Sequence, residues 1–214
     1  MLKCDQISKQ YSGHMVLNQT SITFPPNQTH VILGKSGCGK STLLKIIADV
    51  IEADSGEVMI SQKDSPCPPV GMIFQSHNLW PNKTVLENLT LAPKKVLKQK
   101  DADLKAKELL TQFKLEHKAQ AYPSQLSGGE EQRCAIMRAL MMPYQTIVMD
   151  EPNAALDPVS TQQLIECLKI FKDKTIIIST HDLSFAKQVA DKIYMMDQGS
   201  IQAINNVSIS NYKT

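Results

Sequence analysis

The chain has 214 residues, with 23 Lys+Arg against 21 Asp+Glu and a formal net charge of +2. That length accommodates one full domain, or one with a subdomain inserted in it. Hydrophobic residues make up 42% and charged residues 21%, a balance that lets the chain bury a core and excludes collagen-like, coiled-coil and low-complexity classes, while a charge so close to zero excludes the broad electrostatic footprint of a dedicated nucleic-acid binder.

The five cysteines, Cys4, Cys38, Cys67, Cys134 and Cys167, are odd in number and widely spaced, so there is no C-x-x-C metal or redox pair. A reduced, cytosolic chain is the simplest reading. The N-terminus, MLKCDQISKQ, lacks the apolar stretch of a signal peptide. The longest apolar runs, such as Ile176-Ile177-Ile178, are strand-sized and far below the roughly 18 residues of a membrane span. Any membrane role must run through a partner.

In chain order, Met1–Phe24 alternates apolar and polar residues and predicts an antiparallel β subdomain. A strand over His30–Leu33 follows, then a helical pattern at Leu43–Ile47. Asp64–Pro69, with Pro66, Pro68 and Pro69, must be a loop. Val70–Phe74 reads as a strand. Lys94–Glu116 carries Leu104, Leu109, Leu110 and Phe113 amid many lysines and predicts one amphipathic helix. A further helix runs from Ser127 to about Leu140. Thr146–Asp150, Lys174–Ser179 and Lys192–Met196 complete the strands. Short β-branched strands alternating with helices predict an α/β domain with a mostly parallel sheet. The helical stretch at about 76–142 is expected to be inserted in the core of a single domain spanning 1–214.

Gly34-Lys35-Ser36-Gly37-Cys38-Gly39-Lys40-Ser41 matches G-x-x-x-x-G-K-[ST] in the required order of strand, loop and helix. The glycines allow backbone N–H groups to turn inward, and the helix offers its positive end to phosphate. Lys40 supplies a point charge for the β and γ phosphates, and the Ser41 hydroxyl suits Mg²⁺. The alternative is a merely glycine-rich turn. Thr146–Asp150 and Glu151 form a buried strand ending in two carboxylates. Asp150 would meet Mg²⁺ where open α/β sheets bind ligands, and Glu151 could accept a proton from an attacking water; alone, the pair would be an ordinary acidic turn. Leu126-Ser127-Gly128-Gly129-Glu130-Glu131-Gln132-Arg133 opens a helix with Ser127 as N-cap and two glycines that would let a phosphate approach.

Together these motifs resemble the ATP-binding subunit of ABC transporters, from Tyr11 through Gly199. The resemblance implies a P-loop NTPase core, ATP and Mg²⁺ as ligands, and a head-to-tail homodimer in which Ser127, Gly128, Gly129 and Glu130 of one copy close over the ATP held by the other. It implies that Thr42 contacts the α-phosphate. Tyr11 is implied to stack on adenine, the alternative being a tyrosine packed on the β flap. Gln75 is implied to reach Mg²⁺ and the attacking water while sensing the membrane partner, and His181 to contact the γ-phosphate and hold Glu151. Asp157 is implied to link the two sites across the dimer, and is also an N-cap before Pro158.

Three positions depart from the pattern. Glu130 replaces a common Gln and is expected to place extra negative charge near the γ-phosphate, Ala154 replaces Ser or Thr, and Lys35 replaces a frequent Pro; hydrolysis is still expected. The phrases Phe74-Gln75-Ser76-His77-Asn78-Leu79-Trp80-Pro81 and Thr84-Val85-Leu86-Glu87-Asn88 look most like polar amino acid importers of the glutamine type. The implied partners are an integral membrane permease and, through it, a periplasmic solute-binding protein, with no nucleic acid. The implied place is the cytoplasmic face of the inner membrane. The alternatives are a lipoprotein-release or cell-division ATPase and a soluble nucleic-acid-associated ABC ATPase. The chain ends soon after Gly199, which predicts no C-terminal regulatory domain.

Overall fold

A computed structural model describes residues 1–60, 68–154, 156–171 and 173–204. Most of the loop expected over Asp64–Pro69 lies outside them. The N-terminal alternation folds as predicted: β1 (Leu2–Tyr11) and β2 (His14–Phe24) pair antiparallel from Leu2↔Phe24 to Tyr11↔His14. A strand not foreseen, β4 (Ser55–Ile60), pairs antiparallel with the other side of β1. Its residues are mostly exposed, so burial left no apolar pattern to read.

The main sheet has the order β5-β6-β7-β3-β8-β9, formed by β3 (Thr29–Leu33), β5 (Val70–Ile73), β6 (Thr146–Asp150), β7 (Thr175–Thr180), β8 (Lys192–Asp197) and β9 (Ser200–Ile204). The first five in that order are parallel, and β9 returns antiparallel along β8. Every residue of β6 and β7 is buried, as expected of strands covered on both faces. Alternation sorts their side chains: Val31, Leu33, Ile147, Met149, Ile176 and Ile178 join one core cluster. Ile32, Val148 and Ile177 join the other, with α1 (Lys40–Ile47) and the antiparallel sheet.

Between β5 and β6 lie three helices, α2 (Val85–Val96), α3 (Ala102–Gln112) and α4 (Gly128–Leu140); α5 (Pro158–Leu168) and α6 (Leu183–Val189) follow later. The single helix expected over Lys94–Glu116 is therefore two. The break has a local cause: the N–H groups of Leu97 and Gln99 both donate to the Pro93 carbonyl, and Lys98 is left-handed with φ 54, an αL turn that stops a helix. α2 begins earlier, at a capping box in which Thr84 Oγ1 accepts from the Glu87 N–H and the Glu87 carboxylate accepts from the Thr84 N–H. The Thr-x-x-Glu spacing was a readable start signal. Leu104 is 62% exposed, whereas Ala102, Ala106 and Leu110 form the buried stripe of α3. Small residues carry that face, which a search for leucines misses.

A buried histidine supports the seam between the sheets. His30 Nε2 donates to the Pro25 carbonyl, so Nδ1 accepts from the Tyr194 hydroxyl, and Phe24 packs edge-on against both rings. Burial lowers the His30 pKa from the ordinary 6.5, reinforced by Lys192 and opposed by the Pro25 bond and Asp191. The folded protein thus holds the imidazole neutral, while the unfolded chain takes up a proton on passing below 6.5. Its contribution is present above that pH and lost as pH falls from there toward the lower folded value. Urea unfolding is expected to show stability falling below pH 6.5 with a component of up to about 1.4 kcal/mol per pH unit from this group. That component should be absent in His30→Gln; an unchanged slope in the variant would assign it elsewhere.

Candidate active site

The loop leaving β3 is tied at its start to the end of β7 by the Gly34 N–H, which donates to the Thr180 carbonyl. It then turns through positive φ at Gly37 (+80) and Gly39 (+109), a geometry that side chains resist. Gly39 is the N-cap of α1 and has no side chain to satisfy the first N–H groups, which are left to an anion. Lys40 is only 5% exposed. Its Nζ donates to the Gly34 and Lys35 carbonyls at 2.8 and 3.0 Å and lies 3.4 Å from Glu151 Oε1, the set of partners a buried ammonium requires.

The ends of β6 and β7 supply the acidic side. Asp150 Oδ1 accepts from Ser41 Oγ at 2.8 Å and from Ser179 Oγ at 2.7 Å, so a carboxylate and hydroxyls converge beside the loop. Glu151 is left-handed, with φ 48, and its N–H donates to the Ser179 carbonyl and hydroxyl. That backbone turn directs its carboxylate between Lys40 and His181: one oxygen faces Nζ and the other accepts from His181 Nδ1 at 2.8 Å. Because a carboxylate only accepts, Nδ1 carries the proton. Asn153, which the sequence did not single out, accepts from Thr180 Oγ1 and donates to Asp182, the N-cap of α6. Its only signal was a short polar side chain just after the acidic pair.

These elements enclose a cavity of about 540 Å³, within the range of small-molecule sites. Every loop residue from Lys35 to Thr42 except Cys38 lines it, joined by Gln75, Glu151, Ala154, His181 and Val16. Gly34 and Asp150 act from just behind the lining, Asp150 through Ser41. Cys38 is buried. Tyr11 is not in the lining: it ends β1, is 45% exposed, and has Lys9 Nζ 5.7 Å from its ring centroid. The sequence did not single out Val16, a β2 residue brought there by the hairpin.

Ser127, Gly128, Gly129, Glu130 and Asp157 also lie outside this cavity. Ser127 caps α4 by accepting from the Glu130 N–H, and the Glu130 carboxylate accepts from the Ser127 N–H while standing 3.5 Å from Lys118 Nζ. Burial pushes the Glu130 pKa up, but the Ser127 bond and the Lys118 charge outweigh it and hold the carboxyl below its usual range. The extra negative charge at this position is thus engaged within its own chain. Asp157 caps α5, accepting from the Val159 and Ser160 N–H groups and from Ser160 Oγ. The Ser160 bonds hold its carboxyl below the usual range.

Gly129 and Gly128 differ in the space around them. A Cβ on Gly129 would lie 2.5 Å from Ser160 Oγ and 2.8 Å from Ser160 Cβ, whereas one on Gly128 meets nothing within 4 Å. Gly129→Ala is expected to cost about 1–3 kcal/mol by overpacking, and Gly128→Ala less than about 0.5 kcal/mol, both read by urea unfolding. Gly128→Ala is nevertheless expected to weaken ATP-dependent association on a sizing column. If its association were unchanged, the open face of Gly128 would not meet the nucleotide of another copy.

A glycine-rich loop entering a helix, an acidic strand end beside it and a parallel sheet with both at its carboxyl edge define a P-loop nucleotide triphosphatase. A family model described as ABC transporter matches residues 17–154. The chain is 39% identical to a glutamine transport ATP-binding protein, GlnQ, of Geobacillus stearothermophilus, over 94% of this chain and 88% of the relative. It is 37% identical to an arginine transport ATP-binding protein, ArtM, of Bacillus subtilis, over 94% and 89%. Among solved structures it is similar to a dimeric post-hydrolysis state of the ATP-binding cassette MJ0796 bound to ADP and Pi. That likeness has a TM-score of 0.84 and 29% identity, over 96% of this chain and all of the other. The chain belongs to the ABC transporter family as a nucleotide-binding ATPase. Among the described residues no helix is long and apolar enough to cross a membrane.

Proposed function

We propose that this chain hydrolyses ATP at the cavity under β3, β6 and β7 and uses the cycle to drive a separate integral membrane permease that imports polar amino acids. The observation that carries the reading is the Glu151 carboxylate held between Lys40 Nζ and His181 Nδ1 at the loop's mouth. A base in that position can take the proton of a water attacking the γ-phosphate, and His181 fixes its orientation. Lys40 and the N–H groups of Lys35 to Thr42 hold the phosphates, with Thr42 at the α-phosphate, and Tyr11 stacks on adenine. Ser41 and Gln75 can each offer a side-chain oxygen at the cavity, with the Asp150 carboxylate behind Ser41, a donor set that fits Mg²⁺; when bound, the ion neutralises phosphate charge.

In this reading residues 1–214 act as one ATPase domain. Two copies meet head to tail, with Ser127, Gly128, Gly129 and Glu130 of one on the ATP of the other and Asp157 between the sites. Association follows from ATP binding the closed dimer better than the open one. The permease, with a periplasmic solute-binding protein beyond it, places the chain on the cytoplasmic face of the inner membrane. The names of the glutamine and arginine transport relatives support the solute class.

Phosphate release is expected with ATP and Mg²⁺ and to be lost with EDTA. Tagged Glu151→Gln protein loaded with ATP is expected to retain a permease from detergent-solubilised membranes. An export-type permease there would overturn import and keep the ATPase chemistry.

A further inference from the structure

We propose that His77 and Glu131 form a clasp through which the first turn of α4 positions Gln75 at the cavity, making both of them positioning residues for hydrolysis. The inference rests on the ATPase reading above.

Gln75 lines the cavity from the turn two residues beyond β5. Two residues on, the chain turns through two successive left-handed residues, His77 (φ 57) and Asn78 (φ 50). Neither is glycine, and such a conformation persists only where surrounding groups impose it. Inside the turn the His77 N–H donates to the Phe74 carbonyl and Ser76 Oγ donates to Asn78 Oδ1.

The grip from outside comes from α4. Arg138 donates to the His77 carbonyl at 2.9 Å and to the Asn78 carbonyl at 2.6 Å, with its guanidinium 5.2 Å from the Trp80 ring centroid. Two turns earlier on the helix, Glu131 Oε2 stands 3.2 Å from His77 Nδ1, which must be the donor since a carboxylate only accepts. Positions seven apart share a helix face, so α4 holds the turn at two points along one stripe. Arg138 grips the backbone whatever side chains the turn carries. The His77–Glu131 contact is the side-chain bond, half-buried, and it reaches the turn of α4 that Ser127 caps and Glu130 closes. The segment bearing Gln75 and the helix end bearing Ser127, Gly128 and Gly129 are therefore joined by a bond between two identifiable side chains. Displacing either end transmits to the other.

The test is a double-mutant cycle on the full chain, with kcat and KM for ATP measured for His77→Ala, Glu131→Ala and the pair, and with His77→Gln, whose amide can still donate to Glu131. Each single alanine is expected to lower kcat about fivefold with KM held within about twofold, and the double to fall no further, as for residues sharing one interaction. His77→Gln is expected to recover at least half of the lost kcat. Both side chains are partly solvated, so melting temperatures should stay close to that of the unsubstituted protein. Losses that multiply in the double variant, an effect confined to KM, or an unchanged kcat in the singles would overturn the clasp while leaving the ATPase intact. If the unsubstituted protein releases no phosphate, the ATPase reading itself fails, and the clasp with it.

Discussion

Glu151→Gln is expected to lower ATP turnover by about 10²–10⁴-fold, the usual worth of a positioned general base, while ATP still binds. The substitution keeps the shape of the side chain and its acceptor toward His181 Nδ1, now 2.8 Å from a carboxylate oxygen, but removes the charge that can hold a water's proton. It also relieves the negative group 3.4 Å from Lys40, which leaves that ammonium wholly to the phosphates. Bound ATP that is not turned over should accumulate as a dimer, visible by light scattering with ATP and absent with ADP. Turnover within tenfold of the unsubstituted rate would remove Glu151 from the role of base, whatever happened to the dimer.

Lys40→Ala is expected to weaken ATP binding about 10- to 100-fold, the value of a charge-assisted hydrogen bond of roughly 1.5–3 kcal/mol. Turnover should fall with it. Two effects act in the same direction. The cation proposed for the β and γ phosphates is lost, and Glu151 keeps its charge with no ammonium beside it to offset repulsion from the nucleotide. The Gly34 and Lys35 carbonyls lose their donor as well, so circular dichroism should accompany the titration calorimetry. A dissociation constant within twofold of the original in a folded variant would contradict the part assigned to this lysine.

Much of the site was legible because its signals are local. The P-loop is a contiguous phrase whose glycines answer to backbone geometry, and Gly37 and Gly39 take positive φ as that phrase requires. Ser127 and Asp157 announce helix starts by chemistry within three residues, and both accept the expected N–H bonds. Thr146–Asp150 was readable to the residue, since a strand buried on both faces needs an apolar run such as Ile147-Val148-Met149 and the acidic pair marks its end. The helices between β5 and β6 were less legible. Their boundary depends on how the Pro93 carbonyl collects two N–H groups, and two of the three buried positions of α3 are alanines.

The charge on Glu130 illustrates the limit most clearly. Read along the chain it is an acid near a phosphate site; in the fold it closes a helix cap and faces Lys118, twelve residues earlier and across a turn. The pairing of β4 with β1 and the placing of Val16 and Gln75 at the cavity likewise depend on contacts between segments far apart in the chain. The amino-acid sequence by itself determined the nucleotide chemistry, the α/β class and the caps, because each is written in residues within a few positions of one another. Only the tertiary structure decided which charges are free to act and how the turn after Gln75 is held by α4, because those outcomes depend on distances through space that no local pattern encodes.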